Sequence, residues 1–390
     1  MGEISQPRGP LACVVGARPN YMKMAPLVRA FSTRPSLPDV VLVHTGQHYD
    51  VAMNEHLFTD LGLPAPDLNL EVGSGTHAVQ TAEIMRRFEP VLDEFLPSCV
   101  IVVGDVNSTL ACSLVASKKR IPVVHVEAGL RSFDRDMPEE INRVQTDQIA
   151  DRLYTTERSA AEHLKREGVA EERIVFAGNV MIDSLRTHRK QAIDPSVTLA
   201  RAGVAPDFLD GANGYGVVTL HRPSNVDEAR ALAESLTILR DVANRLPLIW
   251  PVHPRARINI DRFGLSAWIA GTRIALLPPQ GYLEMLGLLA DARLVLTDSG
   301  GVQEETTALA VPCLTMRDNT ERPITVDEGT NTVVGRDRAR VLGCVDDIFA
   351  TGGKRGRIPQ FWDGRAATRI AADLDSWLAT RLPAREIAAA

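Results

Sequence analysis

Acidic, basic and small residues gather just after a series of short apolar runs in this chain of 390 residues. The most informative group is Thr297-Asp298-Ser299-Gly300-Gly301-Val302-Gln303-Glu304-Glu305. A strand ends, a Ser-Gly-Gly turn follows and a helix begins, so free N–H groups and the helix dipole point at one spot. That is a cradle for a pyrophosphate. The dipole contributes ~0.3–1 kcal/mol when exposed, and each charge-assisted hydrogen bond roughly 1.5–3 kcal/mol, so backbone contacts dominate. Glu305, one turn further in, suits ribose hydroxyls better than phosphate, which it would repel.

Three carboxylates occupy comparable positions earlier in the chain. Asp105 lies in Gly104-Asp105-Val106-Asn107-Ser108-Thr109, where the bland alternative is a turn followed by a Ser108 N-cap. Glu127 lies in His125-Val126-Glu127-Ala128-Gly129-Leu130-Arg131, and strand alternation puts His125 and Glu127 on one face. A carboxylate there needs a cation or a proton. Glu139 follows Met137-Pro138, which equally suits an ordinary helix start with acid at the positive end of the dipole. Gly16-Ala17-Arg18-Pro19-Asn20-Tyr21-Met22-Lys23 carries two cations but neither G-x-G-x-x-G nor G-x-x-x-x-G-K-[ST]. Read alone it is an ordinary turn. His221, in Thr219-Leu220-His221-Arg222-Pro223-Ser224-Asn225, is balanced between a structural and a functional role, and His253 is the weaker candidate. Met316-Arg317-Asp318-Asn319-Thr320-Glu321-Arg322-Pro323 reads as a surface ion-pair set of little energetic weight.

The elements that must position these groups alternate from end to end. Leu11–Val15, Val40–Val43, Val100–Val103, Val123–Val126, Ile174–Phe176, Val217–Leu220, Leu248–Val252, Ile274–Leu277, Leu294–Thr297 and Val311–Leu314 read as buried parallel strands. Met22–Phe31, Thr76–Phe95, Ser108–Ser117, Glu139–Ala150, Arg230–Arg245 and Val302–Leu309 read as helices. The class is α/β, and one sheet would not hold so many strands. Two Rossmann-like domains facing a cleft are expected, 1–190 and 191–363, followed by a helix at 364–390. The turn-rich stretch Gln191–Gly214 is the expected interdomain linker. Ligands in such sheets sit at the carboxyl ends of strands.

Composition sets the remaining bounds. The net charge of −6 disfavours nucleic-acid and anionic-membrane roles. Cys13, Cys99, Cys112, Cys313 and Cys344 form no close pair and read as reduced thiols. Met1–Pro10 is polar and Leu11–Val15 is too short to span a bilayer, so the expectation is a cytoplasmic, unanchored protein.

Taken in order, these motifs resemble the non-hydrolysing UDP-N-acetylglucosamine 2-epimerases from Leu11 to about Gly335. The resemblance implies a GT-B-like pair of domains, a homodimer, and a C-terminal helix that returns to the first domain. It implies no cofactor, neither nicotinamide nor obligatory metal. Residue by residue, it implies that Asp105, Glu127 and Glu139 are the catalytic carboxylates. His221 would contact the diphosphate and assist departure of UDP. Arg18 and Lys23 match the basic pair of GxRPxxxK, Ser299, Gly300 and Gly301 the phosphate turn, Glu305 the ribose contact, and Gln280 and Arg322 further nucleotide positions. Three places depart from the pattern. Met285 stands where an aromatic is common, Arg222-Pro223-Ser224-Asn225 follows the histidine, and Gln47-His48-Tyr49-Asp50 keeps part of a Gln-His-Arg-Glu run. The last two bear on allosteric activation by a second substrate.

The implied reaction is anti elimination of UDP to 2-acetamidoglucal and re-addition with the proton delivered to the other face of C2. Within the family, alternatives are a 2-epimerase of UDP-2,3-diacetamido-glucuronic acid and a hydrolysing enzyme releasing ManNAc and UDP. Outside it stand a GT-B glycosyltransferase, which needs no carboxylate trio, and a non-catalytic UDP-sugar binder.

Overall fold

The computed structural model describes residues 9–47, 57–210 and 214–381. His48, Tyr49, Asp50 and Gly211 therefore lie outside the described residues. The chain forms two compact units, one running through Ser184 and resuming at Gln360, the other Leu185–Pro359. Among the described residues no helix is long and apolar enough to cross a membrane.

The first unit is built on a seven-stranded sheet. Its strands are β1 (Leu11–Val15), β2 (Val40–His44), β3 (Leu68–Asn69), β4 (Cys99–Val103), β5 (Val123–Ala128), β6 (Arg152–Thr155) and β7 (Ile174–Phe176). They pair in parallel in the order β3-β2-β1-β4-β5-β6-β7. Every residue of β1, β4 and β5 is buried. That matches their unbroken apolar runs, because helices cover both faces of such a sheet. The strand order reverses between β1 and β4, so their carboxyl ends flank the crevice where ligands bind in this architecture.

The helix Ala366–Arg381 belongs to this unit and buries Ala366, Ile370, Leu374 and Leu378, a spacing of four that makes one helical face. Its carboxylates tie it down. Asp373 accepts from Arg152 and from the Tyr154 hydroxyl, and Asp375 from Arg34 and Ser36. At its start, Asp183 accepts the N–H groups of Ala366 and Ala367 at 3.1 and 2.8 Å.

The second unit has six parallel strands: β8 (Gly216–Thr219), β9 (Leu248–Pro251), β10 (Ile274–Leu277), β11 (Leu294–Thr297), β12 (Cys313–Thr315) and β13 (Asn331–Val333). Their order is β10-β9-β8-β11-β12-β13, with the reversal between β8 and β11. Alternate residues feed two cores. Val218, Leu248, Trp250 and Leu296 pack on one side, and Val217, Ile249 and Val295 on the other.

The α/β class and the two Rossmann-like sheets expected from the alternating pattern are present. Other expectations need correction. Gln191–Gly214 is not a linker: it contains the helix Pro195–Arg201, opened by Asp194 as N-cap, and Leu199 packs into the second unit's core. Ser108 is not an N-cap either. The helix starts at Asn107 with Val106 in the cap position, while the Ser108 hydroxyl donates to Gln47 Oε1 at 2.7 Å. The strands β6 and β13 lack a long apolar run and escape the sequence pattern. Cys13, Cys99, Cys112 and Cys313 are buried, and burial pushes the Cys313 thiol up to about 11, so it is a poor nucleophile.

Candidate active site

In the first unit the chemistry-bearing residues meet around Gly104, just past β4. Gly104 adopts φ +68°, and a side chain there would start 3.1 Å from Lys23 Nζ and 3.9 Å from Glu127 Oε1. Lys23, on the helix Arg18–Ser32, reaches Glu127 at 2.7 Å, with side chains 4% and 1% exposed. Asn20 sets the approach of that helix. Its Oδ1 accepts from the N–H groups of Gly16 and Ala17, and its amide donates to Val103 O, joining the ends of β1 and β4. A side chain at position 16 would crowd this junction, its Cβ falling 2.2 Å from Ser108 Oγ and 2.8 Å from Ser108 Cβ.

Glu127 itself sits at φ +74°, where the β5–β6 ladder shifts register between Val126 and Ala128. Simple alternation is interrupted there, and Glu127 meets Lys23 while His125 meets Asp147. Such a conformation in a non-glycine residue costs of order 1–3 kcal/mol and persists only where surrounding contacts hold it.

Asp105 is gripped by the helix Pro138–Ile149. Arg143 Nη2 contacts Asp105 Oδ2 at 2.5 Å, and Asn142 donates to the Asp105 carbonyl at 2.9 Å. Glu139 begins the same helix, half-buried, one turn before Arg143. Its neighbour Glu140 is structural: it accepts the N–H groups of Ser132 and Phe133 and pairs with Arg143. Arg18 is half-buried at the first position of its helix.

Behind these groups runs a buried charge chain. His125 Nδ1 meets Asp147 at 2.7 Å and Nε2 meets Gly104 O at 2.8 Å. Arg131 holds Asp147 at 2.7 Å and Glu167 at 2.6 Å. Burial alone would raise the Asp147 carboxyl; His125 and Arg131 outweigh it and hold it below the usual carboxylate range.

The second unit presents a different chemistry at its own reversal point. The helix Gly300–Leu309 starts directly after β11 with Ser299 as its N-cap residue, so its first N–H groups are free for an anion. A Cβ on Gly300 would lie 2.4 Å from Glu321 Oε1. Glu321 is buried and contacts Arg317 at 2.8 Å and Arg222 at 3.6 Å, while Arg322 contacts Glu304 at 3.2 Å. Burial would raise the Glu321 carboxyl, but Arg317, Arg322 and Arg222 hold it well below the usual range. Arg317, Glu321 and Arg322 are thus a buried network under the turn, not the surface set expected from composition. The segment reads as a polar loop in sequence, and nothing local betrays its burial.

His221 follows β8 and stands against Asp298, the residue after β11. Its Nδ1 lies 2.9 Å from Asp298 Oδ1. Asp298 is fully buried and also accepts from the N–H groups of His221 and Arg222 and from Asn225 Nδ2. Burial would raise its carboxyl; the hydrogen bond and charge of His221, with Asn225 and Arg222, hold it below the usual range. His253 caps the helix Pro254–Arg262 through Nδ1, its ring 5.6 Å from that of His221. Gln280 is half-buried and donates to Pro278 O at 2.7 Å. Glu305 is buried on the Gly300 helix, where its charge joins burial in raising the Tyr282 hydroxyl. Met285 packs against the core. Gly301 is half-buried in the turn beside Ser299. Among the described residues no group of three or more His, Cys, Asp or Glu side chains is placed to hold a metal ion.

Comparison with known proteins agrees in both sequence and fold. The family model for UDP-N-acetylglucosamine 2-epimerase matches residues 30–375. The UDP-N-acetylglucosamine 2-epimerase of Methanocaldococcus jannaschii is 40% identical over 364 residues, covering 92% of this chain and 97% of the relative. The UDP-2,3-diacetamido-2,3-dideoxy-D-glucuronate 2-epimerase of Pseudomonas aeruginosa is 40% identical over 84% of this chain and 89% of its own. A crystal structure of the M. jannaschii enzyme in complex with UDP-GlcNAc and UDP superposes with a TM-score of 0.84 at 39% identity, covering 94% of this chain and 99% of that one. With a match of this extent in sequence and fold, the chain belongs to the UDP-N-acetylglucosamine 2-epimerase family.

Proposed function

We propose that the protein interconverts UDP-N-acetylglucosamine and UDP-N-acetylmannosamine by eliminating and re-adding UDP, without net hydrolysis. The observation that carries this reading is the gathering of Asp105, Glu127 and their cationic partners Lys23 and Arg143 at the ends of β4 and β5. A transferase that only binds a nucleotide sugar has no need of it.

The C2 hydrogen has no neighbouring ketone to acidify it, so a carboxylate of ordinary pKa near ~4 cannot remove it in isolation. Loss of the proton is therefore coupled to loss of UDP. The C2–H electron pair becomes the C1=C2 bond of the glycal, and the C1–O pair departs on the diphosphate. In the reverse sense the diphosphate oxygen attacks C1 while a proton arrives on the opposite face of C2. Asp105, Glu127 and Glu139 share the proton transfers, each worth ~10²–10⁴-fold for a positioned group. Lys23 and Arg143 supply the positive charge that buried carboxylates require. The diphosphate falls to His221, Arg18 and the Ser299–Gly300–Gly301 turn, with Arg322, Gln280 and Glu305 completing the nucleotide site. A homodimer is part of the same reading, to be seen as twice the chain mass by light scattering.

Proton NMR of the protein with UDP-N-acetylglucosamine in D₂O tests the proposal. The expected result is the C2 epimer carrying deuterium at C2, with UDP well below stoichiometric amounts. Stoichiometric free UDP and ManNAc would replace it with the hydrolysing reaction. The P. aeruginosa enzyme, at the same 40% identity as the M. jannaschii one, makes UDP-2,3-diacetamido-2,3-dideoxy-D-glucuronate the alternative substrate, and the same assay with that sugar decides between them.

A further inference from the structure

The Asp298 carboxylate divides its contacts between its two oxygens. Oδ2 accepts from Arg222 N at 2.9 Å and from Asn225 Nδ2 at 3.0 Å, and the same Asn225 amide donates to Met316 O at 2.9 Å. These bonds pin the loop after β8 to the ends of β11 and β12. Oδ1 faces the imidazole, 2.9 Å from His221 Nδ1. The His221 N–H lies between both oxygens, at 3.1 and 3.0 Å. Oδ2 thus holds the loop through Arg222 N and Asn225, and Oδ1 is the oxygen that meets the ring.

An ionised carboxylate only accepts hydrogen bonds. A proton on Nδ1 of His221 is what the carboxylate oxygen 2.9 Å away calls for, whatever the charge of the ring. Nε2 becomes the nitrogen available outside, on a side chain that is 36% exposed while Asp298 is completely buried. The neighbouring His253 has its Nδ1 engaged as a helix cap, accepting from Arg255 N at 3.2 Å.

We propose that Asp298 is a positioning residue for the reaction: it fixes His221 in the Nδ1–H form and presents Nε2 to the departing diphosphate. This rests on the reading of His221 as the group that assists loss of UDP. Asp298 touches no substrate, and the Ser299–Gly300 turn beside it binds phosphate through its own N–H groups.

The test is Asp298→Asn, compared with His221→Gln. The asparagine carbonyl can keep the bonds to Arg222 N and Asn225 while its NH₂ faces Nδ1. A donor at that point drives the ring to the Nε2–H form. Imidazole ¹⁵N resonances, recorded at about pH 9 where histidine rings are neutral, report the exchange directly. Expected are Nδ1–H in the wild type, Nε2–H in D298N, and a fall in kcat of ~10²–10⁴-fold, the scale of a misplaced imidazole tautomer. UDP affinity should stay within about threefold, because one fixed turn binds it in both proteins. D298N at the wild-type rate, while H221Q is crippled, overturns the positioning role alone. H221Q at the wild-type rate overturns the reading of His221 beneath it. Loss of UDP binding in D298N also overturns the proposal, since Asp298 then serves the turn. If D298N does not fold, the wild-type spectrum still decides: an unprotonated Nδ1 rules the proposal out.

Discussion

Asp183 offers a prediction whose sign opposes ordinary acid denaturation. Its carboxylate caps the helix Ala366–Arg381 through the N–H groups of Ala366 and Ala367. Burial raises its pKa from 3.8 to about 6; the two N–H groups and Arg369 resist the rise, and the charge of Asp363 adds to it. The folded state thus holds this proton more tightly than the unfolded chain. Below about pH 4 both states are protonated and the contribution is constant. Between about pH 4 and 6 the unfolded chain releases its proton first, so the fold loses stability as pH rises. Above about pH 6 the loss is complete. A shift of some two units at 1.36 kcal/mol each amounts to about 3 kcal/mol. Asp183→Asn keeps an acceptor for the cap but cannot titrate. The stability difference, wild type minus variant, should therefore fall by about 3 kcal/mol from pH 4 to pH 7, with the other carboxylates cancelling. The chain holds two units, and each can unfold in its own transition. Urea denaturation followed by hydrogen exchange on peptides of the first unit isolates the relevant one. A difference that stays flat, or grows with pH, would refute the reasoning.

Two further substitutions probe the framework of the site. Lys23→Met removes the cation from a buried carboxylate and should cost about 3–5 kcal/mol, with the Lys23→Met/Glu127→Gln double variant costing clearly less than the sum of the single changes. A double-mutant cycle by denaturation measures this, and additivity would show that the pair is not coupled. Gly129→Ala places a Cβ 2.4 Å from the Ala160 carbonyl oxygen at φ +80°. It should destabilise by about 2–5 kcal/mol through left-handed strain plus overpacking, and a melting temperature equal to the wild type would contradict the geometry.

Long apolar runs made most of the fold legible. The buried cores of β1, β4, β5, β8 and β11 are continuous in sequence because a parallel sheet covered on both faces has no polar side to show. Short strands such as β6, opening on Arg152, carry no such run and are recognised only by the neighbours that pair with them. The helix Pro195–Arg201 was hidden among turn residues, although Asp194 followed by Pro195 is itself a helix-start signal. Candidate positions could be proposed for a related reason: residues that follow a buried strand emerge at its carboxyl end.

Their partners were not legible. Lys23 reads as one of two exposed cations in a turn, yet it is buried against Glu127, 104 positions along the chain. Arg317 and Arg322 read as surface charges, yet they lie beneath the Ser299–Gly300 turn around Glu321. Asp298 reads as one member of a turn, yet it grips His221 from 77 positions away. By itself the sequence determined the alternation of strands and helices, the order of the motifs and the fact that most candidate segments follow an apolar run, all of which depend on neighbours in the chain. Only the tertiary structure decided which charge meets which. Hydrogen bonds and ion pairs act over a few ångströms, and those distances are set by how parallel strands, joined through long crossovers, bring their carboxyl ends side by side.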